Sequence, residues 1–600
     1  MTPGGATLRP RPLKVLLLFP PAWTPTMPHL ATPSLTAYLR AHGVEVVQRD
    51  LNLECMDLLL TREHLEGAMR QVRRLFGGRA SRRHGREQPP REFVDWALAQ
   101  GPRLAREVEE AKAVLRSPAF YDPARSRAAM ECISSALQII SLPFFPTSVE
   151  LSSLTSAIRE DVSAEVIRGA ADPQTNPYHR LLDRHVIDSL VAEAPDLVGI
   201  SVPTMGQFLA ALTVATLLRQ RGVRAHITLG GPHISMLREE MLHTPEVFDL
   251  VDSAVVFGGE APLLGLARAL ERGIALDTVP NLLYRHEGQV RATDTEPPVP
   301  LAELPLPDFD GLPLERYLVP EPVLPLVTAR GCYHGRCAFC NVGYGARERF
   351  EQLPAERVVE RMLALRERYG VRHIFFADEA ITPRNLRGMS TALAEAGAPL
   401  HWVTCARMER VLDRDLLETM ARGGCRMLLY GLETAAPRIV EAMHKGTTVE
   451  EMSRVLREGT AAGLWNHVFF FFGFPGETME DAQATVDFIY AHGDSIHSAA
   501  LGTFLLERYA PAHLSPEAFG IRQVAPTAER DLAIYFDYQV QSGIDEAMAE
   551  TIVERLMGVL PIKETPQYYM HDTYRFLYAS RLADEGRPFP AWLGKAGRLQ

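Results

Sequence analysis

Arg330-Gly331-Cys332-Tyr333-His334-Gly335-Arg336-Cys337-Ala338-Phe339-Cys340 gathers three of the chain's 7 cysteines into a single turn after an apolar run. Cysteine is rare in these 600 residues, so accident is a poor account of three in one loop. Thiolates are metal ligands, and three of them without a nearby fourth suit a centre that keeps one coordination position open. A structural zinc site is a closed tetrahedron, usually built from two separated pairs of ligands, and only His334 would complete it locally. A four-iron four-sulfur (4Fe-4S) cluster fits better: three irons take thiolates, and the fourth is left for a substrate or cofactor. On this reading Cys332, Cys337 and Cys340 are both the metal ligands and the catalytic thiols.

From Pro325 onward, strand candidates recur ahead of helical stretches. They are Leu326 to Thr328, His373 to Ala377, Trp402 to Cys405, Met427 to Tyr430, His467 to Phe472 and Ala499 to Phe504. Six such repeats predict a partial (β/α)6 barrel of the TIM type over residues 323–530, with its chemistry at the carboxyl ends of the strands. Asp378, Glu379, Thr404, Arg407, Glu433, Thr434 and Gly473 fall at those ends. Neighbouring strand residues face opposite ways, so Asp378 and Glu379 are expected to divide between the barrel interior and the helices and not to form an acid-base dyad. Arg407 reads either as a carboxylate clamp or as part of an ion pair beneath the site. Beyond Arg530, amphipathic helices and the aromatic patch Tyr568-Tyr569-Met570-His571-Asp572-Thr573-Tyr574 predict a C-terminal helical subdomain, residues 531–600.

Upstream, the apolar run Lys14 to Phe19, a helix from Pro33 to His42 and the strand Val44 to Val47 open an alternating pattern. It resumes at Asp196 to Ser201, a helix near Phe208 to Gln220, Ala225 to Leu229, and Val255 to Phe257. Alternating strands and helices predict a parallel, doubly wound Rossmann-like sheet, residues 1–295, with its ligand beyond the strands' carboxyl ends. Small residues gather there: Ser201 and Thr204, Gly230 and Gly231, Gly258 and Gly259. One such pair is an ordinary turn; three in register point to a bulky ligand approaching the backbone. Residues 56–190 form a long helical insertion with amphipathic pieces at Leu65 to Leu75 and Phe93 to Leu115 and a basic loop, Arg73 to Arg91. The proline-dense stretch 296–322 is expected to be a linker.

A net charge of -11 argues against a broad phosphate-binding face, so nucleic acid is not an expected partner. Met1 to Pro12 carries no apolar signal core, and the runs Val15 to Phe19 and Val468 to Phe472 are too short for a bilayer, so no membrane association is expected. Cys55, Cys132, Cys405 and Cys425 are scattered as buried small hydrophobes would be, and the reducing cytoplasm is the expected compartment.

The thiol loop and the two hundred residues after it resemble the radical S-adenosylmethionine (SAM) enzymes. The usual family spacing is Cys-x3-Cys-x2-Cys; here the first gap is one residue longer, Cys332-x4-Cys337-x2-Cys340. By this resemblance Phe339 packs against the SAM adenine, Glu433 and Thr434 occupy the family's Gly-x-Glu-Ser position at the polar part of SAM, Gly473 belongs to the fifth-strand motif near the adenine, and Asp378 lines the same site. Lys445, in His444-Lys445-Gly446-Thr447, is expected to be structural. The first half looks like the cobalamin-binding domain that precedes the barrel in cobalamin-dependent members. In that likeness Ser201, Thr204, Gly230, Gly231, Gly258 and Glu260 surround the cofactor. The Asp-x-His-x-x-Gly motif that brings an axial histidine elsewhere has no counterpart after Phe19, and His29 is expected to be a surface or core residue.

The resemblance implies a 4Fe-4S cluster, SAM and methylcobalamin as cofactors, a small-molecule or peptide substrate, and a reducing partner such as flavodoxin or ferredoxin. It implies C-methylation of an unactivated carbon in a specialised metabolite or modified peptide. A cyclisation or rearrangement without methyl transfer, and a non-catalytic cobalamin-binding regulator, are the alternatives.

Overall fold

The computed structural model describes residues 13–77, 87–346, 349–397, 400–559 and 571–590. They divide into two compact units, residues 1–320 with 527–533, and residues 321–526 with 534–600.

The first unit is built on a seven-stranded sheet: β1 (Lys14–Phe19), β2 (Glu45–Asp50), β3 (Leu197–Ser201), β4 (His226–Gly230), β5 (Ser253–Val255), β6 (Leu282–His286) and β7 (Gln289–Ala292), in the order β2-β1-β3-β4-β5-β6-β7. Pairing is parallel through β5 and antiparallel at β6 and β7. Parallel strands are covered on both faces, which explains why the LVGIS of β3 is buried at every position. Helix Phe208–Gln220 is apolar nearly all round and is buried from Phe208 to Leu218, because helices Ser163–Ala170 and Pro177–His185 cover its outer side. The order β2-β1-β3-β4-β5 reverses direction between β1 and β3, and in such sheets the ligand crevice opens at that switch point.

The helical insertion begins directly after β2. Asp50 caps helix Leu51–Leu59 through Leu53 N (2.9 Å), and Thr61 caps helix Arg62–Phe76 through His64 N (3.2 Å). Leu65, Ala68, Met69, Val72 and Phe76 form the buried stripe of the latter, packed against helices Arg91–Leu115 and Pro123–Ser141. Part of the basic loop, residues 78–86, lies outside the described residues.

The proline-dense segment is not a free spacer. Gln48 Nε2 donates to the carbonyls of Asp308 (2.7 Å) and Asp310 (3.1 Å), Arg40 pairs with Asp308 (2.9 Å), and the Tyr317 hydroxyl donates to Asp50 (2.6 Å). Proline removes ladder donors from this stretch but leaves its carbonyls; Gln48 of β2 takes up two of them, while Arg40 of the first helix (Ala31–Ala41) holds the Asp308 carboxylate. The boundary therefore falls at Pro320. Residues 527–533 also belong here: Asp531 accepts from Ser163 N (2.8 Å), and Leu532 N donates to Asp161 O (2.9 Å), so the expected division at residue 530 falls inside a bound segment.

The second unit holds six parallel strands in sequential order, β8 (Val323–Leu326), β9 (His373–Phe376), β10 (His401–Ala406), β11 (Cys425–Glu433), β12 (Trp465–Phe472) and β13 (Ser498–Thr503), the strand set of a (β/α)6 partial barrel. The first strand starts earlier than its sequence suggests and contains Pro325; it is an edge strand, where a missing N–H is tolerated. Thr382, Asp413, Thr448 and Thr478 each cap the helix that follows them, which sets where these helices begin.

The C-terminal region splits between the two ends of this sheet. Helix Glu546–Val559 lies beside the carboxyl ends, its Ala549 against Gly473. Helix Asp572–Asp584 covers the strand starts, with His401 bonded to Asp584 (3.0 Å) and His467 near Asp572 (3.8 Å). Of the expected aromatic patch, Tyr568, Tyr569 and Met570 lie outside the described residues; Tyr574 is buried.

Burial holds His467 and His497 down to about 3, and holds His401 down to about 4. A histidine with a folded value below its unfolded value of about 6.5 stabilises fully above that pH and loses the contribution as pH falls toward the folded value. Buried carboxyls with raised values act in the opposite direction, so the difference between proteins is the readout: between about pH 7 and pH 4 the native protein is expected to lose roughly 5 °C more unfolding temperature than His467→Gln, as read by scanning calorimetry.

Candidate cofactor sites

In the second unit the thiol loop leaves β8 through Ala329–Arg330, which pairs with Glu351–Gln352. Gly331 and Gly335 adopt left-handed conformations (φ +69° and +58°) that let the loop turn tightly. Ala338 N donates to Met443 O (2.9 Å), Cys340 N to Cys337 O (3.2 Å), and a ring nitrogen of His334 bonds His444 O (2.8 Å). All three thiols are partly exposed and none is in a disulfide. Burial raises the Cys340 thiol to about 12, so its thiolate needs a cationic partner. Among the described residues no three cysteine, histidine or acidic side chains close on a single-ion cage.

Arg407 braces this loop. Its Nη1 lies 4.0 Å from Cys337 Sγ, its Nη2 donates to Lys445 O (2.5 Å) and its Nε is 4.0 Å from Glu409, which also accepts from the Tyr333 hydroxyl. Lys445 reaches Glu433 with Nζ–Oε1 3.1 Å and stands 5.4 Å over the Phe339 ring, which meets Phe471 edge-on at 5.2 Å. Glu433 itself sits at a register break in β11 with φ +69°, a strained setting for a long side chain. Both members of the ion pair are nearly buried, so Lys445→Met leaves a stranded carboxylate and is expected to cost about 3–5 kcal/mol in thermal or denaturant unfolding. The double variant Lys445→Met/Glu433→Gln should recover most of that loss.

The other expected residues divide by what they already touch. Asp378 Oδ1 accepts from Thr328 N (2.7 Å), Thr328 Oγ1 (3.2 Å) and Ala329 N, fixing the approach to the thiol loop. Burial raises this carboxyl to about 7, and Oδ2 has no partner among the described residues. Both residues lie beyond the end of β9, so strand alternation does not govern them; Glu379 is accessible, yet surrounding protein raises it above the ordinary value. Glu507 is raised to about 7 by burial and by Glu379, and both acids also push Cys340 upward. The Thr434 hydroxyl is turned inward, bonded to Thr485 (3.0 Å) and Ala436 N (3.2 Å). Gly473 has φ +88°, its N donates to Glu477 (2.5 Å), and an added Cβ would lie 2.7 Å from Ala549 Cβ.

In the first unit Ser201 ends β3, and its buried Oγ has no partner among the described residues. Gly231 follows β4 with φ 110° and ψ 174°, and an added Cβ would stand 2.7 Å from Val202 O. Gly230 has room, with nothing nearer than 3.7 Å. At Gly258 a Cβ would meet Pro298 at 2.6 Å, and Glu260 begins helix Glu260–Arg272. Thr204 is engaged locally, its hydroxyl and N–H both on Gln207 Oε1 (2.5 and 3.3 Å), while Gln207 Nε2 donates to Ala22 O (2.5 Å). His233 is buried beside Phe208 (5.5 Å) with both ring nitrogens unpartnered among the described residues, and burial takes it down to about 3. His29 stacks on Phe19 (4.6 Å), and its Nδ1 accepts from Ala31 N (3.3 Å), a packed core histidine.

The B12 binding domain family model matches residues 139–267, and that of the radical SAM superfamily matches residues 326–489. Over 347 residues the chain is 30% identical to an uncharacterized methyltransferase of Pyrococcus horikoshii, spanning 56% of this chain and 72% of the relative. This chain belongs to the cobalamin-dependent radical SAM enzymes. The cytidylyl-2-hydroxyethylphosphonate methyltransferase of Streptomyces wedmorensis is 24% identical over 52% of this chain and 66% of its own length. Among solved structures, the cobalamin-dependent SAM radical enzyme OxsB matches with TM-score 0.58 at 15% identity, over 96% of this chain and 71% of that one. The radical SAM methyltransferase TsrM of Kitasatospora setae matches with TM-score 0.53 at 16% identity, over 98% and 93%. At such identities the likeness is one of fold.

A radical SAM enzyme of this class uses a 4Fe-4S cluster, SAM and cobalamin. The donor set fits the cluster: three thiols on one glycine-turned loop, with a guanidinium beside Cys337. The switch-point edge fits a large polar ligand, because Ser201 and His233 hold buried polar atoms that cost about 1–3 kcal/mol each when unsatisfied. The sequence offered Arg407 as a clamp or ion-pair residue and Lys445 as a structural one, but it did not single out His233 or Glu507. His233 had a signal, standing directly after Gly230-Gly231-Pro232; Glu507 had none, since a short strand far along the chain brings it near Glu379. Among the described residues no helix is long and apolar enough to cross a membrane.

Proposed function

We propose that this radical SAM enzyme transfers a methyl group to an unactivated carbon of a small molecule, either a specialised metabolite or a modified peptide. The observation that carries this reading is the pairing, in one chain, of a three-thiol loop with a flavodoxin-ordered sheet whose carboxyl edge holds orphaned polar groups. When bound, the cluster supplies the electron for SAM cleavage and cobalamin supplies the methyl group.

The chain's part is to hold and orient. Cys332, Cys337 and Cys340 would carry the cluster and leave one iron for SAM. Phe339, fixed between Phe471 and the Lys445 ammonium, offers an aromatic face to the adenine. Glu379 and Glu507 set a negative field around Cys340 that favours a cationic ligand such as SAM. Glu433 is oriented by Lys445, Asp378 holds the strand that feeds the thiol loop, and Thr434 supports the turn after β11 from within. Gly230 would give the corrin's nucleotide tail close access to backbone, Gly231 and Gly258 let the neighbouring turns pack against Val202 and Pro298, Ser201 offers the tail a hydroxyl, and Glu260 and Thr204 shape the flanking turns.

A flavodoxin or ferredoxin in the cytoplasm is the proposed electron source. Anaerobic reconstitution with SAM, methylcobalamin and candidate substrates, followed by mass analysis, tests the reading. Methylated product with both S-adenosylhomocysteine and 5′-deoxyadenosine supports it. Product with 5′-deoxyadenosine and no S-adenosylhomocysteine would favour cyclisation, the activity named for a Rubrivivax gelatinosus relative, the anaerobic magnesium-protoporphyrin IX monomethyl ester cyclase, 26% identical over 57% of its length.

A further inference from the structure

The helical insertion encloses a cavity of about 440 Å³ that shares no residue with either cofactor site. Its floor is apolar, made by Leu58, Leu59, Ile140, Pro143, Phe144 and Leu181. Its mouth is cationic: Arg70, Arg180 and Arg184 line it with His64 and His185, against the single acid Glu63. Arg180 is held in place, its Nη1 on Gln71 Oε1 (3.4 Å) and its guanidinium 5.9 Å over the Phe144 ring. Burial, together with the positive charge of His185 and Arg184, lowers His64 to about 4, which leaves it neutral and able to accept or donate near neutral pH. Arg70 and Arg184 make no ion pair among the described residues, although several other exposed arginines of this insertion are paired with acids one turn away.

We propose that this cavity is a second small-molecule site, for an amphipathic anion with one carboxylate or phosphate head and an apolar body. The volume lies in the range of pockets that bury small ligands, and an apolar floor under a few convergent polar groups is their usual make-up. The head would meet the guanidiniums, which bind planar carboxylates and phosphates through paired N–H donors, and the body would cover the leucines and Phe144. A bare ion is not the best occupant, because it would leave the apolar floor uncovered.

Isothermal titration calorimetry on the full-length, cofactor-loaded protein tests it with four probes: decanoate, decyl phosphate, decanol and inorganic phosphate. Either charged amphiphile is expected to bind at least tenfold more tightly than decanol and than inorganic phosphate, and the ratio between decanoate and decyl phosphate identifies the preferred head. Arg70→Glu and Arg184→Glu alter exposed side chains and should weaken the preferred amphiphile at least fivefold each. Gly67→Leu places a side chain in the cavity where an added Cβ has room, 3.6 Å from Arg70 Nη2, and should abolish binding while leaving the unfolding temperature intact. Equal binding of decanol, undiminished binding in the charge-reversed or cavity-filled proteins, or no binding of either charged amphiphile overturns the proposal.

Discussion

Cys332→Ala/Cys337→Ala/Cys340→Ala, purified and reconstituted without oxygen, will retain no iron or sulfide and will form no 5′-deoxyadenosine from SAM under strong reductant, while cobalamin uptake by the same protein stays normal. The loop should survive the change. Its shape comes from Gly331, Gly335, the Ala338–Met443 backbone bond and the His334–His444 contact, none of which uses sulfur. The three thiols are partly exposed, so their removal opens no cavity in the core and near-native unfolding is expected. Single substitutions should be nearly as severe for SAM cleavage, because a cluster held by two thiolates exposes a second iron and is easily lost. Unchanged iron and deoxyadenosine in the triple variant would dispose of the assignment. Within the first gap Gly335 turns at φ +58°, and an added Cβ would press on Cys332 O at 3.3 Å, so Gly335→Ala is expected to lower cluster content, read as iron and sulfide per chain.

What the chain reveals to a reader of its sequence follows the range of the interactions involved. The strands of both sheets are legible because parallel strands are buried on two faces and therefore read as apolar runs; five of the six barrel strands overlap the expected segments closely. The thiol loop is legible because its ligands are neighbours in sequence. What sequence could not show is where a polar side chain is spent. Asp378 and Thr434 look alike as polar residues at strand ends, yet among the described residues one Asp378 oxygen has no partner, while the Thr434 hydroxyl is committed to Thr485, fifty-one positions away. Lys445 reads as a loop lysine until β11 and the segment after it bring it onto Glu433 and Phe339. The proline-dense stretch misled for the same reason: its composition says extended, and only the donors of β2 and the first helix show that it is held.

Gly231→Ala will cut cobalamin retention most sharply in the first unit, and its neighbour separates the causes. Gly231 lies at φ 110° and ψ 174°, a region essentially confined to glycine, and its Cβ would stand 2.7 Å from Val202 O and 2.9 Å from Val202 C. Both contacts are with backbone that β3 holds in register, so the turn has to move, at a cost of about 1–3 kcal/mol for the dihedral alone. The displaced turn carries Pro232 and His233, and Val202 follows Ser201, so one methyl group shifts both orphaned polar groups of the switch-point edge. Gly230→Ala has no such effect on the fold, since no atom lies within 3.7 Å of the added carbon. Gly230→Ala is therefore expected to unfold at the native temperature and still bind cobalamin at least tenfold more weakly, as measured by the corrin absorbance that stays with the protein through gel filtration. Gly231→Ala should lose both cobalamin and several degrees of unfolding temperature. If Gly230→Ala binds cobalamin as the native protein does, the backbone at this edge does not approach the ligand, and the glycines after β4 are needed only for the turn. A normal cluster and normal SAM cleavage in both variants would localise the defect to the corrinoid.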